Sequence, residues 1–205
     1  MKSLWINSEF AYDGTQLRSL FAYLGHSLMG DSIVSWRGPC DIPFEHMVDG
    51  EDVLAQSEIR SAEMLHFIVE KFDSSLYSAV LMQRILACLC LESLRELLPE
   101  LSSELRREGD DIYWQDRKLS ISIATVSPVS ALIHFAVNTS NKNTPVKTCA
   151  LSDFRRSDLS DLKEGRLSDN DLTIVPKDFA ERLMTKFINE IESSLLATQK
   201  VHWVR

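Results

Sequence analysis

The sequence predicts an α+β fold, a mixed and mainly antiparallel sheet with helices packed against it. Three observations carry this expectation. Residues 80–98 and 177–199 space their apolar side chains as helices do, whereas residues 2–7 and much of 110–138 alternate polar and apolar with a period of two. The alternating segments between 110 and 138 are separated only by short turn signals, the mark of hairpin-linked antiparallel strands. With 205 residues, 44% of them hydrophobic, the chain can bury a proper core, so a single domain over 1–205 is the default.

Taken in order, residues 2–7 alternate around Leu4 and Ile6 and read as a strand, closed by the turn signal Tyr12-Asp13-Gly14. Residues 16–24 read as a helix stopping near Gly25. Residues 32–36 read as a strand interrupted by Arg37-Gly38-Pro39. Residues 61–72 carry Met64, Leu65, Ile68 and Phe72 on what would be one helical face, with Ser61 as N-cap, and are expected to be helical. Between Ile85 and Leu91 apolar residues surround the helix axis, the pattern of a central helix buried on most sides. Residues 155–170, rich in Ser, Asp and Arg, read as an exposed excursion. Phe179, Leu183, Phe187, Ile191 and Leu195 stay in register over 177–199, and Pro176 suits the first turn, so this helix should cover one sheet face.

Composition narrows the function. A net charge of −8 without a basic patch argues against general nucleic-acid binding, since the phosphate backbone would be repelled. No uninterrupted apolar run approaches the ~18 residues of a membrane span, and the first residues lack an apolar signal segment, so no membrane association and a cytoplasmic location are expected. Cys40, Cys88, Cys90 and Cys149 are scattered, which suggests free thiols. Cys88 and Cys90 would point to different sides of a helix, and the five histidines show no metal spacing, so no metal site is expected. An open edge on the first strand would permit a homodimer.

The stretch 109–138 bears most on function. If residues 110–114 and 117–126 are strands joined by the turn Gln115-Asp116, Tyr113 stands opposite Lys118 and Asp111 opposite Ser120. One face then holds Ile112, Trp114, Leu119, Ile121 and Ile123. The other gathers Asp111, Tyr113, Lys118, Ser120 and Ser122, continued in the next strand by His134, Ala136 and Asn138. Serine and alanine are poor strand formers whose merit is leaving room. Above them lies either a packed loop or helix, or a ligand, with Lys118 supplying a cation and Ser120, Ser122 and Asn138 directional hydrogen bonds. Arg37-Gly38 could set a guanidinium and an approachable backbone beside an anion. Asp31, between Gly30 and Ser32, could lie at the same rim. His66, next to an apolar helical face, reads as a core residue, and His134 has no evident triad partner.

The motif Asp110-Asp111-Ile112-Tyr113-Trp114-Gln115-Asp116-Arg117-Lys118-Leu119-Ser120, followed by Ile133-His134-Phe135-Ala136-Val137-Asn138, resembles the core of the biotin and lipoate protein ligases. Nearly end to end, with LMGDSIVSWRGPCDI, RREGDDIYWQDRKLSISIATVSPVS and a C-terminal VHWV, the chain resembles the family called domain of unknown function 366. That resemblance implies the α+β fold of class II aminoacyl-tRNA synthetases and biotin ligases. It further implies that Lys118 contacts a substrate carboxylate and the phosphate of its acyl adenylate, with ATP and Mg as cofactors. Asp111 and Asn138 match motif positions. Asp110 stands where those ligases have asparagine, Ile121 where they have glycine, and WRGPC is the nearest counterpart of their glycine-rich loop. The resemblance extends to octanoyl transferases, in which a loop cysteine near the position of Cys149 is the nucleophile and the motif lysine its partner.

Three functions are thereby in view. The first is binding of a carboxylate-bearing small molecule or its acyl adenylate, with transfer of the acyl group by a ligase or acyltransferase. The second is ATP-independent transfer from an acyl donor through Cys149 and Lys118. The third is a binding module without catalysis.

Overall fold

A computed structural model describes residues 1–154 and 174–204. The expected excursion at 155–170 lies outside the described residues. In chain order the elements are β1 (Lys2–Trp5), α1 (Phe21–His26), β2 (Ser32–Ile42), α2 (Gly50–Ala55), β3 (Ile59–Phe72), α3 (Leu76–Leu97), β4 (Leu105–Glu108), β5 (Asp111–Trp114), β6 (Arg117–Lys118), β7 (Ser120–Val126), β8 (Ser130–Asn138) and α4 (Pro176–Gln199). The main sheet has the order β1-β2-β3-β8-β7; β1 runs parallel to β2 and the other neighbours are antiparallel. β4, β5 and β6 form a small antiparallel sheet of their own. The expectation of an α+β fold with a mainly antiparallel sheet holds.

Helices α3 and α4 pack on one face of the main sheet. Leu86, Ala87, Cys90 and Leu94 of α3 and Phe179, Leu183 and Phe187 of α4 bury themselves against Leu65, Phe67, Phe135 and Val137. By length and composition α3 could cross a membrane, but here it forms the centre of this core. On the other face residues 6–28, α1 included, cover a second cluster of Tyr12, Phe21, Val34, Trp36, Met64 and Ile68.

The segment at 61–72 is the central strand rather than a helix. Leu65, Phe67 and Val69 enter the first core, while Met64 and Ile68 enter the second. Both faces are covered, so the period-two alternation that marks a half-buried strand is absent, and a continuous apolar run cannot be told from a helix by spacing. His66 therefore sits in a strand and is buried.

Two further boundaries differ from expectation. α1 begins at Phe21, because Leu20 adopts a left-handed backbone whose N–H donates to the buried Glu70 carboxylate at 2.9 Å. β2 runs through Arg37-Gly38-Pro39 to Ile42, absorbing the interruption as a register shift between Gly38 and Cys40.

Candidate functional site

Where β3, β7 and β8 come side by side, a pocket of about 160 Å³ opens on the face opposite α3 and α4. Its floor is Met64, Ile121 and Asn138. Its walls come from the start of β3, including Ile59 and Arg60, and from residues 144–148, and Lys118 stands in its lining.

The main chain of Lys118 is held by residues 147–149. Its N–H donates to Lys147 O at 3.1 Å, and its carbonyl accepts from Cys149 N at 3.0 Å. The side-chain amide of Asn138 donates to Cys149 O at 3.2 Å and to Lys118 O at 3.4 Å. Asn138 thus braces the backbone that carries Lys118. The Lys118 ammonium meets Asp111 Oδ2 at 2.8 Å, with about 30% and 26% of the two side chains exposed. Burial pushes the Asp111 carboxyl above the ordinary carboxylate range; Lys118 pulls the other way and neighbouring Asp110 adds to the rise.

Lys118 and Asn138 thereby line the pocket together, with Asp111 paired to the Lys118 ammonium, but Ser120 and Ser122 do not join them. Ser120 pairs with Val137 and Ser122 with Phe135, both residues of the α3 side, while Ile121 pairs with Ala136 on the pocket side. The sidedness expected from one continuous strand is corrected at Leu119, where the chain leaves the small sheet at β6 and enters the main sheet at β7. Strand alternation does not survive such a crossing. Leu119 and Ser120 are consecutive and both fully buried. Ser120 Oγ accepts from Ile112 N at 2.9 Å. Ser122 Oγ donates to Asp110 at 2.6 Å and accepts from Gln83 Nε2 of α3 at 2.7 Å, and Gln83 also reaches Asp110. Asp110, Ser120 and Ser122 therefore tie the hairpin to the core helix, the packed arrangement that the sequence left open for the serines.

The remaining candidates lie apart from the pocket. Arg37 alternates onto the α3 and α4 side, opposite Leu65, and pairs with Glu63 at 2.9 Å. Gly38 is filled from outside: a Cβ there would meet Phe10 O at 2.0 Å, so glycine admits the passing backbone. Asp31 sits at the other end of the sheet, paired with Lys71 at 2.9 Å and accepting from Phe72 N. Cys149 is fully buried in the first core, its Sγ 3.4 Å from Arg117 O, and burial pushes its thiol up to about 11. A thiol in that state is a poor nucleophile at neutral pH.

His66 and His134 form a buried pair in the second cluster. His66 Nε2 lies 3.1 Å from Gly38 O and so donates, which leaves its Nδ1 to accept from His134 Nε2 at 3.2 Å. Tyr12 stacks on His134 with ring centroids 3.6 Å apart. Burial lowers the His66 pKa to about 4 and that of His134 well below its usual value.

Met64 and Ser61 escape a helical reading of 61–72 that turns them elsewhere; Arg60, just before that segment, and residues 144–148 carry no signal of their own beyond position in sequence. For the implied ATP and Mg the fit is poor. Among the described residues no group of three His, Cys, Asp or Glu side chains gathers as an ion site, and Gly38 is occupied by Phe10 and offers no cradle for phosphate.

Comparison with known proteins sets the fold in context. A protein of unknown function from Pyrococcus horikoshi is similar over 99% of this chain and 98% of its own, with 35% identity and a TM-score of 0.82. A T. acidophilum protein with bound lipoic acid, named as a candidate lipoate protein ligase, aligns over 92% of this chain and 86% of its own at 14% identity and a TM-score of 0.55. A biotin protein ligase mutant from Aquifex aeolicus in complex with biotin aligns over 94% of this chain and 70% of its own at 12% identity and a TM-score of 0.53. At these identities the two ligase-type neighbours show the fold alone. The family model described as domain of unknown function 366 matches residues 1–202, and the chain belongs to that family.

Proposed function

We propose that this protein binds a small carboxylic acid with an apolar tail, or its acyl adenylate or another acyl donor, in the Lys118 pocket, and that acyl transfer is the reaction it serves. One observation carries the reading: Lys118, its main chain held by residues 147–149, lines a pocket whose floor, Met64 and Ile121, is apolar. Such a pocket suits a ligand with a hydrocarbon body and one anionic head. A fixed ammonium can also stabilise charge as it shifts between the oxygens of an acyl group. The biotin and lipoic acid bound by the two neighbours of this fold are acids of that class. Cys149, a buried thiol facing the other core, lends no support to a cysteine-dependent route.

The test is thermal unfolding of the wild-type protein and Lys118→Ala with octanoate, lipoate or biotin. A ligand raises stability only through its affinity for the folded state. At least one acid is expected to raise the wild-type Tm and to lose most of that effect in the variant. Equal stabilisation of both proteins would remove Lys118 from the site.

A further inference from the structure

A carboxylate entering this pocket meets an ammonium that already has a partner. Asp111 Oδ2 stands 2.8 Å from Lys118 Nζ in a largely shielded position. Two carboxylates sharing one ammonium at such a site repel each other, and like charges in close contact force one group to hold a proton. Asp111 has little freedom to turn away. It opens β5 opposite Glu108 of β4, and Tyr113 Oη reaches its Oδ2 at 3.5 Å.

Among the described residues no neighbouring cation stands ready to take over Asp111. Arg84 of α3 is drawn to Asp110, Arg106 of β4 pairs with Glu108 and lies over the Tyr113 ring, Arg117 of β6 lies over the Trp114 ring, and Lys147 pairs with Asp116. Asp110 and Glu108 beside Asp111 are acidic and disfavour a second negative charge, and of the other charged residues lining the pocket, Asp52, Glu58 and Arg60, the cation is already paired, Arg60 with Glu58 at 2.9 Å.

Resting on the reading of this pocket as a carboxylate site, we propose that Asp111 takes up one proton when a carboxylate binds, as Lys118 exchanges Asp111 for the ligand. The site then takes the acid as an anion plus a proton, and its charge is unchanged by binding. Asp111 thereby sets which ionic form of the ligand the pocket accepts and how affinity depends on pH. The sign is fixed. Where Asp111 is already protonated in the free protein, affinity is flat; above that pH each unit weakens binding by up to tenfold, until the carboxyl ionises in the complex as well.

The experiment is titration calorimetry of octanoate and of lipoate into the full chain between pH 6 and 8.5, in buffers of different ionisation enthalpy so that protons are counted. Wild type is expected to take up close to one proton in the range where affinity falls. Asp111→Asn should take up none and bind at least tenfold more tightly at pH 8. Binding by the variant alone at pH 8 also supports the proposal, since only the aspartate charge then excludes the anion. Wild-type binding without proton uptake overturns the proposal and leaves the carboxylate site standing. Absence of binding by both proteins at every pH overturns both. Should Asp111→Asn not fold, the wild-type proton count decides by itself.

Discussion

Acidification should destabilise this protein through the buried histidine pair well before its carboxylates titrate. His66 and His134 are neutral in the folded state, with the His66 pKa lowered to about 4 and that of His134 well below its usual value, both by burial. In the unfolded chain each returns to about 6.5. Because the folded pKa values are depressed, the pair's contribution is fully present above about pH 6.5 and is lost as pH falls below it. For His66 the difference between pH 7 and pH 5 is about 2 kcal/mol, from about 1.4 kcal/mol per pKa unit over the interval in which only the unfolded chain is protonated. His134, whose pKa is also lowered by burial, adds to this loss. A loss of about 2 kcal/mol from His66 alone is a substantial share of the ~5–15 kcal/mol that holds a domain folded. Urea denaturation followed by far-ultraviolet circular dichroism at pH 7, 6 and 5 measures it. Unfolding should take up more than one proton near pH 5.5, and His134→Phe should roughly halve that number whatever it does to absolute stability. An uptake well below one proton would mean that the pair is solvated or already charged.

Gly38→Ala should destabilise the fold by about 1–3 kcal/mol or more, because the new Cβ would meet the Phe10 carbonyl at 2.0 Å; thermal unfolding reads the loss. Among the four cysteines only Cys88 is exposed, while burial pushes Cys40 up to about 12 and Cys149 up to about 11. One thiol per folded chain should therefore react rapidly with a disulfide reagent at pH 7.5, and Cys88→Ser should abolish that reaction. Ser122→Ala should cost about 0.5–1.5 kcal/mol in denaturant unfolding, since it removes two part-buried hydrogen bonds, to Gln83 and Asp110. It should leave octanoate affinity unchanged, because Ser122 lies on the far side of the sheet from Lys118.

The helices α3 and α4 were legible in the sequence, α4 because its apolar residues keep a period of 3.6 and α3 because apolar residues surround its axis over a length too great for a strand. Pro176 marked the start of α4 to the residue. The pairing of Tyr113 with Lys118 was legible too, since a two-residue turn fixes register locally. The central strand β3 was not: it is covered on both faces, and burial on both sides erases the alternation that names a strand. The side taken by Ser120 and Ser122 also lay beyond the sequence, because it depends on a passage between two sheets at Leu119 that no local pattern records. Lys118 was identified from its motif, but its setting belongs to tertiary structure. Asp111 beside it, Asn138 behind its main chain, and Met64 and Ile121 below come from four strands in two sheets, and only the packing of those sheets decides which side chains share a hollow.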